Sequence, residues 1–159
     1  MSNIRGLRGV ARTLTVVFLV AVAVNYPWEL AQALLYAWPG DTRNPWWHCF
    51  VASLGDGVLV LLIFGVGWLV LRRHDWFARP GARGYALLFT MGLVLAVAVE
   101  WVAVHVLQRW TYLPAMPRLP ILDIGIVPIL QMLVLPPLIF RVAASRIFRG
   151  HSDVTKHSR

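Results

Sequence analysis

The stretch Arg12–Tyr36, RTLTVVFLVAVAVNYPWELAQALLY, joins an apolar run to polar residues at helical spacing. About 20 predominantly apolar residues in a helix span the hydrocarbon core of a bilayer. Asn25, Glu29, Gln32 and Tyr36 follow one another three or four residues apart, so they share one face of a helix. A carboxylate is costly inside a membrane and almost always faces a bundle interior or a wet cavity. The stretch therefore predicts a spanning helix that forms one wall of an internal polar site.

The composition of the whole chain is typical of a membrane protein. Of its 159 residues, 58% are hydrophobic and 14% are charged, whereas about 25% are charged in an average soluble domain. We predict an all-α integral membrane protein, a four-transmembrane-helix bundle with short connections. The predicted spans are residues 13–36, 49–71, 85–107 and 121–140. The predicted regions are a basic cytoplasmic N-terminus (1–12), a transmembrane domain (13–148) and a polar cytoplasmic tail (149–159).

The distribution of positive charge predicts the orientation. Of the 15 Lys and Arg residues, only Arg43, Arg109 and Arg118 fall in the first and third connections. The positive-inside rule then places both termini in the cytoplasm of a multi-pass protein of the cell (inner) membrane. We expect no nucleic-acid partner, because the net charge of +8 is a topology signal and no nucleic-acid motif is present. A signal peptide cleaved after Ala23 is the alternative, but it would remove one span from the even number that the charges support.

Three acids lie at a common depth in three of the predicted spans. Glu29, Asp56 and Glu100 each fall about 10 Å below the outer end of their helix, at 1.5 Å per residue. We predict that these three are the catalytic residues. Neighbouring carboxyl groups disfavour one another's charge, so at least one is expected to be protonated and to act as a general acid. The predicted ligand-binding residues are Asn25, Trp28, Gln32, His105, Arg109, Trp110, Tyr112, Asp123 and Gln131.

Simpler interpretations of these residues stay open. Amides such as Asn25 and Gln131 are typical of hydrogen bonds between membrane helices, and Trp and Tyr are typical of an interfacial aromatic belt. The third connection, QRWTYLPAMPRLP, cannot be helical throughout because proline removes donors and restricts the residue before it. We predict that this connection folds over the outer mouth of the bundle as a lid, with a rigid turn as the alternative.

Three functions are compatible with this pattern. The first is a lipid- or isoprenoid-binding enzyme, isomerase- or cyclase-like, in which carboxyl groups move protons and aromatic rings stabilise a developing cation. In size, number of spans and buried acids, the chain resembles the small four-helix membrane isomerases of the sterol-isomerase and sigma-2-receptor type. That resemblance implies proton transfer to a hydrophobic substrate inside the bundle.

The second function is that of a non-enzymatic subunit or assembly factor, as a homo-oligomer or within a larger membrane complex. The third is metal-ion or proton handling. No cofactor is predicted, and the single cysteine, Cys49, excludes a CxxC site. A divalent metal is the alternative, and its candidate ligands are His48, Asp56, Glu29, Glu100 and His105.

Overall fold

The chain folds as a bundle of four long helices, as expected from the hydropathy pattern. The computed structural model describes residues 2–37 and 45–149, with side chains for 8–37 and 45–148. All four helices are long and apolar enough to cross a membrane, which confirms the all-α bundle. The helices are α1 (Ser2–Gln32), α2 (Pro45–Leu71), α3 (Gly81–Trp101) and α4 (Ile126–Arg149).

Two short antiparallel ladders lie at one end of the bundle, which we call the ladder end. The first pairs β1 (Tyr36–Ala37) with β2 (Thr111–Tyr112), and the second pairs β3 (Arg118–Leu119) with β4 (Ile124–Gly125). The first ladder fastens the chain after α1 to the chain between α3 and α4. The third connection is therefore held against the bundle by backbone pairing, and the prolines of that connection lie outside both ladders.

The two ladders and a π-helical turn explain why three helices end or begin away from the predicted span boundaries. α1 ends at Gln32, because Ala33–Leu35 form a tighter 3₁₀ turn before Tyr36 enters the first ladder. α3 ends at Trp101 and passes into a π-helical turn. α4 begins at Ile126 instead of 121, because the second ladder occupies the residues before it. Hydropathy counts apolar residues in ladders and helices alike, so it could not place these ends.

The opposite end of the bundle is packed with aromatic and aliphatic side chains. Trp76, in the turn between α2 and α3, is almost completely buried, and its indole Nε1 donates to the carbonyl oxygen of Phe64 at 3.1 Å. Its ring contacts Phe140 of α4 edge-on, with the centroids 5.4 Å apart. α1 packs mainly on α2 and α4, while α3 packs mainly on α4. This arrangement leaves α2 and α3 with little mutual contact, and the polar residues gather towards the ladder end.

Gly92 sets the closest approach between α3 and α4, and its replacement by alanine should destabilise the protein. A Cβ atom at Gly92 would overlap the backbone carbonyl oxygen of Met132, so the helices would have to move apart. We expect Gly92→Ala to lower the free energy of unfolding by about 1–3 kcal/mol. The measurement is thermal unfolding in detergent, followed by circular dichroism. The control is Gly65→Ala, whose Cβ would meet no atom within 4 Å; equal stability of the two variants would contradict the packing role of Gly92.

Candidate functional site

A cavity of about 290 Å³ lies between the helices towards the ladder end. Glu29 of α1, Asp56 of α2 and Glu100 of α3 all line it, so the structure brings the three predicted catalytic residues together. The other polar residues of the wall are Gln32, Tyr36, Trp110 and Gln131. The apolar residues of the wall are Ala52, Gly55, Leu59, Ala96, Val99, Pro128 and Met132.

Gln131 of α4 connects the polar residues of α1 and α2. Its amide nitrogen Nε2 lies 2.9 Å from Asn25 Oδ1, 2.8 Å from Glu29 Oε1 and 2.9 Å from Asp56 Oδ2. The residue is 2% exposed, so these contacts replace hydration by water. An amide nitrogen carries only two hydrogens, so three acceptors share two donors. Gln131 therefore acts as a hub that positions two of the three acids.

A chain of hydrogen bonds along α1 orients Glu29 from the other side. Gln32 Nε2 donates to Glu29 Oε1 at 2.6 Å, and Trp28 Nε1 donates to Gln32 Oε1 at 3.1 Å. Asn25 Nδ2 donates to the carbonyl oxygen of Ala21 at 2.9 Å. Trp28, predicted to bind ligand, therefore supports Gln32 and does not itself line the cavity. The i to i+3 and i+4 spacing found in the sequence corresponds to these contacts.

Glu100 lies in a second cluster, made of aromatic donors. Its Oε1 accepts a hydrogen bond of 2.6 Å from the Tyr112 hydroxyl and longer ones of 3.4 Å from Tyr36 and Trp110. Tyr112 in turn accepts a hydrogen bond of 2.9 Å from the backbone N–H of Gly125. Burial, and then the hydrogen bond to Glu100, raise the pKa of Tyr112 above its ordinary value. Tyr112 therefore remains a protonated donor to Glu100 around neutral pH.

The first ladder is what assembles this second cluster. Tyr36 and Tyr112 stand opposite each other in β1 and β2, with their ring centroids 5.7 Å apart. The ring of Trp110 meets Tyr36 edge-on at 5.7 Å. Burial, and then the nearby charge of Glu100, also raise the pKa of Tyr36 above its ordinary value. The sequence did not predict the pairing of Tyr36 with Tyr112. The only signal for it was the concentration of aromatic residues near prolines.

The two clusters differ in the number of donors that each acid receives. Glu100 accepts hydrogen bonds from three side chains of its own cluster. Glu29 accepts a hydrogen bond from Gln32 and shares the amide nitrogen of Gln131 with Asp56. Because each acid places an oxygen within about 3 Å of that nitrogen, those oxygens are less than about 6 Å apart, a separation at which two like charges disfavour each other. None of the described residues that line the cavity is Lys, Arg or His. The arrangement therefore brings Glu29 and Asp56 close enough to share one proton, whereas Glu100 accepts hydrogen bonds from donors of its own.

Of the nine predicted ligand-binding residues, three line the cavity and six do not; the three are Gln32, Trp110 and Gln131. Asn25, Trp28 and Tyr112 contact residues of the wall, whereas the other three lie at the surface. His105 is exposed, and its Nε2 lies 3.0 Å from the carbonyl oxygen of Leu122. Arg109 is exposed, and Asp123 forms a surface ion pair with Arg118 at 3.0 Å. The helices predicted over residues 85–107 and 121–140 do not continue regularly through His105 and Asp123, and Arg109 lies in the predicted connection between them. The π-helical turn Val102–Val106 interrupts α3, and a positive φ of 48° at Asp123 turns the chain before α4.

The candidate metal ligands are not gathered into a metal site. Within residues 8–37 and 45–148, no group of three His, Cys, Asp or Glu side chains is arranged to hold a metal ion. Neither His48 nor His105 lines the cavity beside the described acids.

No protein-family model, curated protein or solved structure matches this chain. Its function is therefore inferred from the residues of the cavity and their geometry.

Proposed function

We propose that the protein is an integral membrane protein, with both termini in the cytoplasm, that binds a lipid-like molecule and moves a proton on it. The reaction class is isomerisation or cyclisation of an unsaturated, isoprenoid-type hydrocarbon. The orientation rests on the asymmetry of Lys and Arg between the two sides of the bundle. The observation that carries the reaction is the cavity itself, in which carboxyl groups from three helices meet and no described cation lines the wall.

The proposed reaction begins with the proton held between Glu29 and Asp56. That proton adds to one carbon of the substrate double bond, and the electron pair of the double bond forms the new C–H bond. The neighbouring carbon becomes a cation, which the rings of Tyr36 and Trp110 and the carboxylate of Glu100 stabilise.

Loss of a different proton completes the reaction. Glu100 removes a proton from a carbon beside the cation, and the electrons of that C–H bond form the new double bond. The product is an isomer of the substrate. In a cyclisation, a second double bond of the substrate attacks the cation before the proton is lost. Glu100 then releases its proton to solvent, and the pair of Glu29 and Asp56 takes one up, so no atom is gained or lost overall.

Deuterium exchange tests this proposal without knowledge of the substrate. Purified protein is placed in vesicles made from total membrane lipid in D₂O, and the lipids are analysed by mass spectrometry. We expect at least one unsaturated lipid to gain deuterium at carbon. Glu29→Gln and Glu100→Gln should each slow that exchange by about 100-fold or more, the usual contribution of a general acid or base.

The matched control is Asp123→Asn, which removes an acid that is exposed and lies outside the cavity wall. This variant should exchange at the rate of the unaltered protein. If no lipid gains deuterium, or if Glu29→Gln exchanges as fast as the unaltered protein, proton transfer at this site is refuted. Unchanged stability of both glutamine variants together with that result would favour a structural subunit.

A further inference from the structure

We propose that the cavity has a lateral entrance between α2 and α3, through which a long-chain membrane lipid inserts its reacting end. The rest of the hydrocarbon chain stays among the bilayer lipids. This inference rests on the proposed function and deepens it, because it names the substrate class and its route. The wall at this place is made of small or aliphatic side chains. They are Ala52, Gly55 and Leu59 on α2, and Ala96 and Val99 on α3.

Gly55 is the residue that keeps this wall open. A Cβ atom at Gly55 would meet no atom within 4 Å, so no neighbour requires a glycine there, and its φ is not positive. Glycine within a helix costs about 1 kcal/mol relative to alanine. Gly57, two residues further along, differs, because its Cβ would lie 2.8 Å from the ring of Phe18. The contact with Phe18 therefore explains why residue 57 is a glycine, whereas the glycine at position 55 leaves space beside the cavity.

The surface around the entrance indicates that the occupant comes from the lipid phase. Val51 and Val58 of α2 are half exposed, as are Val94 and Val99 of α3. α2 packs less on α3 than on α1, and α3 packs less on α2 than on α4, so the cavity reaches an aliphatic outer surface between α2 and α3. In the proposed orientation that surface contacts the acyl chains of the bilayer, which favours an apolar chain over a soluble ligand.

The size of the cavity indicates which part of the lipid enters. A volume of about 290 Å³ lies at the lower end of pockets that enclose a whole drug-sized ligand, roughly 300–1,000 Å³. A long-chain lipid therefore cannot be enclosed entirely. The acids and aromatic rings would surround its reacting end, and the chain would leave past Gly55. Within the proposed function, the substrate is therefore an isoprenoid-type lipid whose chain is too long for the cavity to enclose.

Photolabelling with two probes tests the entrance. The long probe is a long-chain prenyl alcohol with a diazirine near its hydroxyl end, and the short probe is its shortest prenyl counterpart. Both are added to the protein in phosphatidylcholine vesicles, and labelled cavity peptides are quantified by mass spectrometry. Gly55→Leu and Val99→Phe narrow the entrance from its two sides. Gly65→Leu is the control, because its site is on the same helix, is equally open and lies outside the cavity wall.

We expect the long probe to label Gly55→Leu and Val99→Phe about tenfold less than the unaltered protein, which corresponds to 1.4 kcal/mol. Gly65→Leu should label normally, and the short probe should label all four proteins. Circular dichroism and thermal unfolding establish whether each variant is folded. If Gly55→Leu does not fold, Val99→Phe alone tests the entrance.

The contradicting outcomes separate the entrance from the function. If the long probe labels both narrowed variants at full strength, the entrance lies elsewhere and the proposed function stands. If the short probe is lost together with the long one, the substitutions have closed the cavity itself and the entrance is refuted. If neither probe labels the cavity of the unaltered protein, the proposed function fails and the entrance fails with it.

Discussion

Replacement of Gln131 by leucine is expected to destabilise the bundle by about 3 kcal/mol or more, because a buried acceptor left without a donor costs about 1–3 kcal/mol. The leucine side chain fills similar space but donates no hydrogen bond. Asn25 Oδ1, Glu29 Oε1 and Asp56 Oδ2 would all lose the amide nitrogen that they share. Gln32 would remain as a donor to Glu29. Thermal and denaturant unfolding in detergent measures the loss.

Two comparisons isolate the hydrogen bonds of Gln131 from general damage to α4. Leu130→Ala alters the neighbouring residue, which is 46% exposed, and should change stability by less than about 1 kcal/mol. Asp56→Asn, added to Gln131→Leu, supplies a new N–H donor for Glu29 and should restore part of the loss. A double-mutant cycle gives the coupling energy of the two residues. A fully stable Gln131→Leu variant would show that these hydrogen bonds do not hold α4 to α1 and α2.

The acids of the cavity could be predicted because helix geometry alone relates sequence position to depth. Glu29, Asp56 and Glu100 all fall within regular helices, although Glu100 is the next-to-last residue of α3. A rise of 1.5 Å per residue therefore still applies to them, and all three line one cavity. Gln131 was predicted as a ligand-binding residue on the same basis. Its role as a hub could not be predicted, since that depends on how α4 is rotated against α1 and α2.

The predicted ligand-binding residues that lie at the surface are found where the chain leaves regular helix. The predicted span 85–107 continued α3 through His105, whereas the π-helical turn and a positive φ of 47° at Gln108 redirect the chain before Arg109. The pairing of Tyr36 with Tyr112 depends on a ladder of two residues per strand, which is too short for any periodic pattern. Local backbone conformation therefore decided the contacts that hydropathy and spacing did not predict.

The described acids of the cavity receive hydrogen bonds from neutral side chains. Arg118 pairs with Asp123 at the surface, and Arg43 lies outside the described residues. The described donors to the acids are amide, hydroxyl and indole groups. Neutral donors can stabilise a negative charge in a buried site, but they do not cancel the repulsion between two carboxylates. A cavity without a described cation in its wall therefore favours retention of a proton by the closest pair of acids.

Infrared difference spectroscopy is expected to detect one protonated carboxyl group per chain at neutral pH, and to assign it to the pair of Glu29 and Asp56. Asp56→Asn should abolish this carboxyl band, because Glu29 alone would receive donors from Gln32, Gln131 and the new asparagine and could hold the remaining negative charge. Glu100→Gln should leave the band in place, because Glu100 already accepts three hydrogen bonds as an anion.

The matched control for that assignment is Asp123→Asn, which removes an exposed acid and should leave the carboxyl band unaltered. The opposite pattern, a band lost in Glu100→Gln and kept in Asp56→Asn, would exchange the acid and base of the proposed reaction. Glu100 would then protonate the substrate, and the pair would accept the second proton. Absence of any protonated carboxyl band would refute a carboxyl group as the general acid and leave the hydroxyl of Tyr36 as the described O–H donor of the wall.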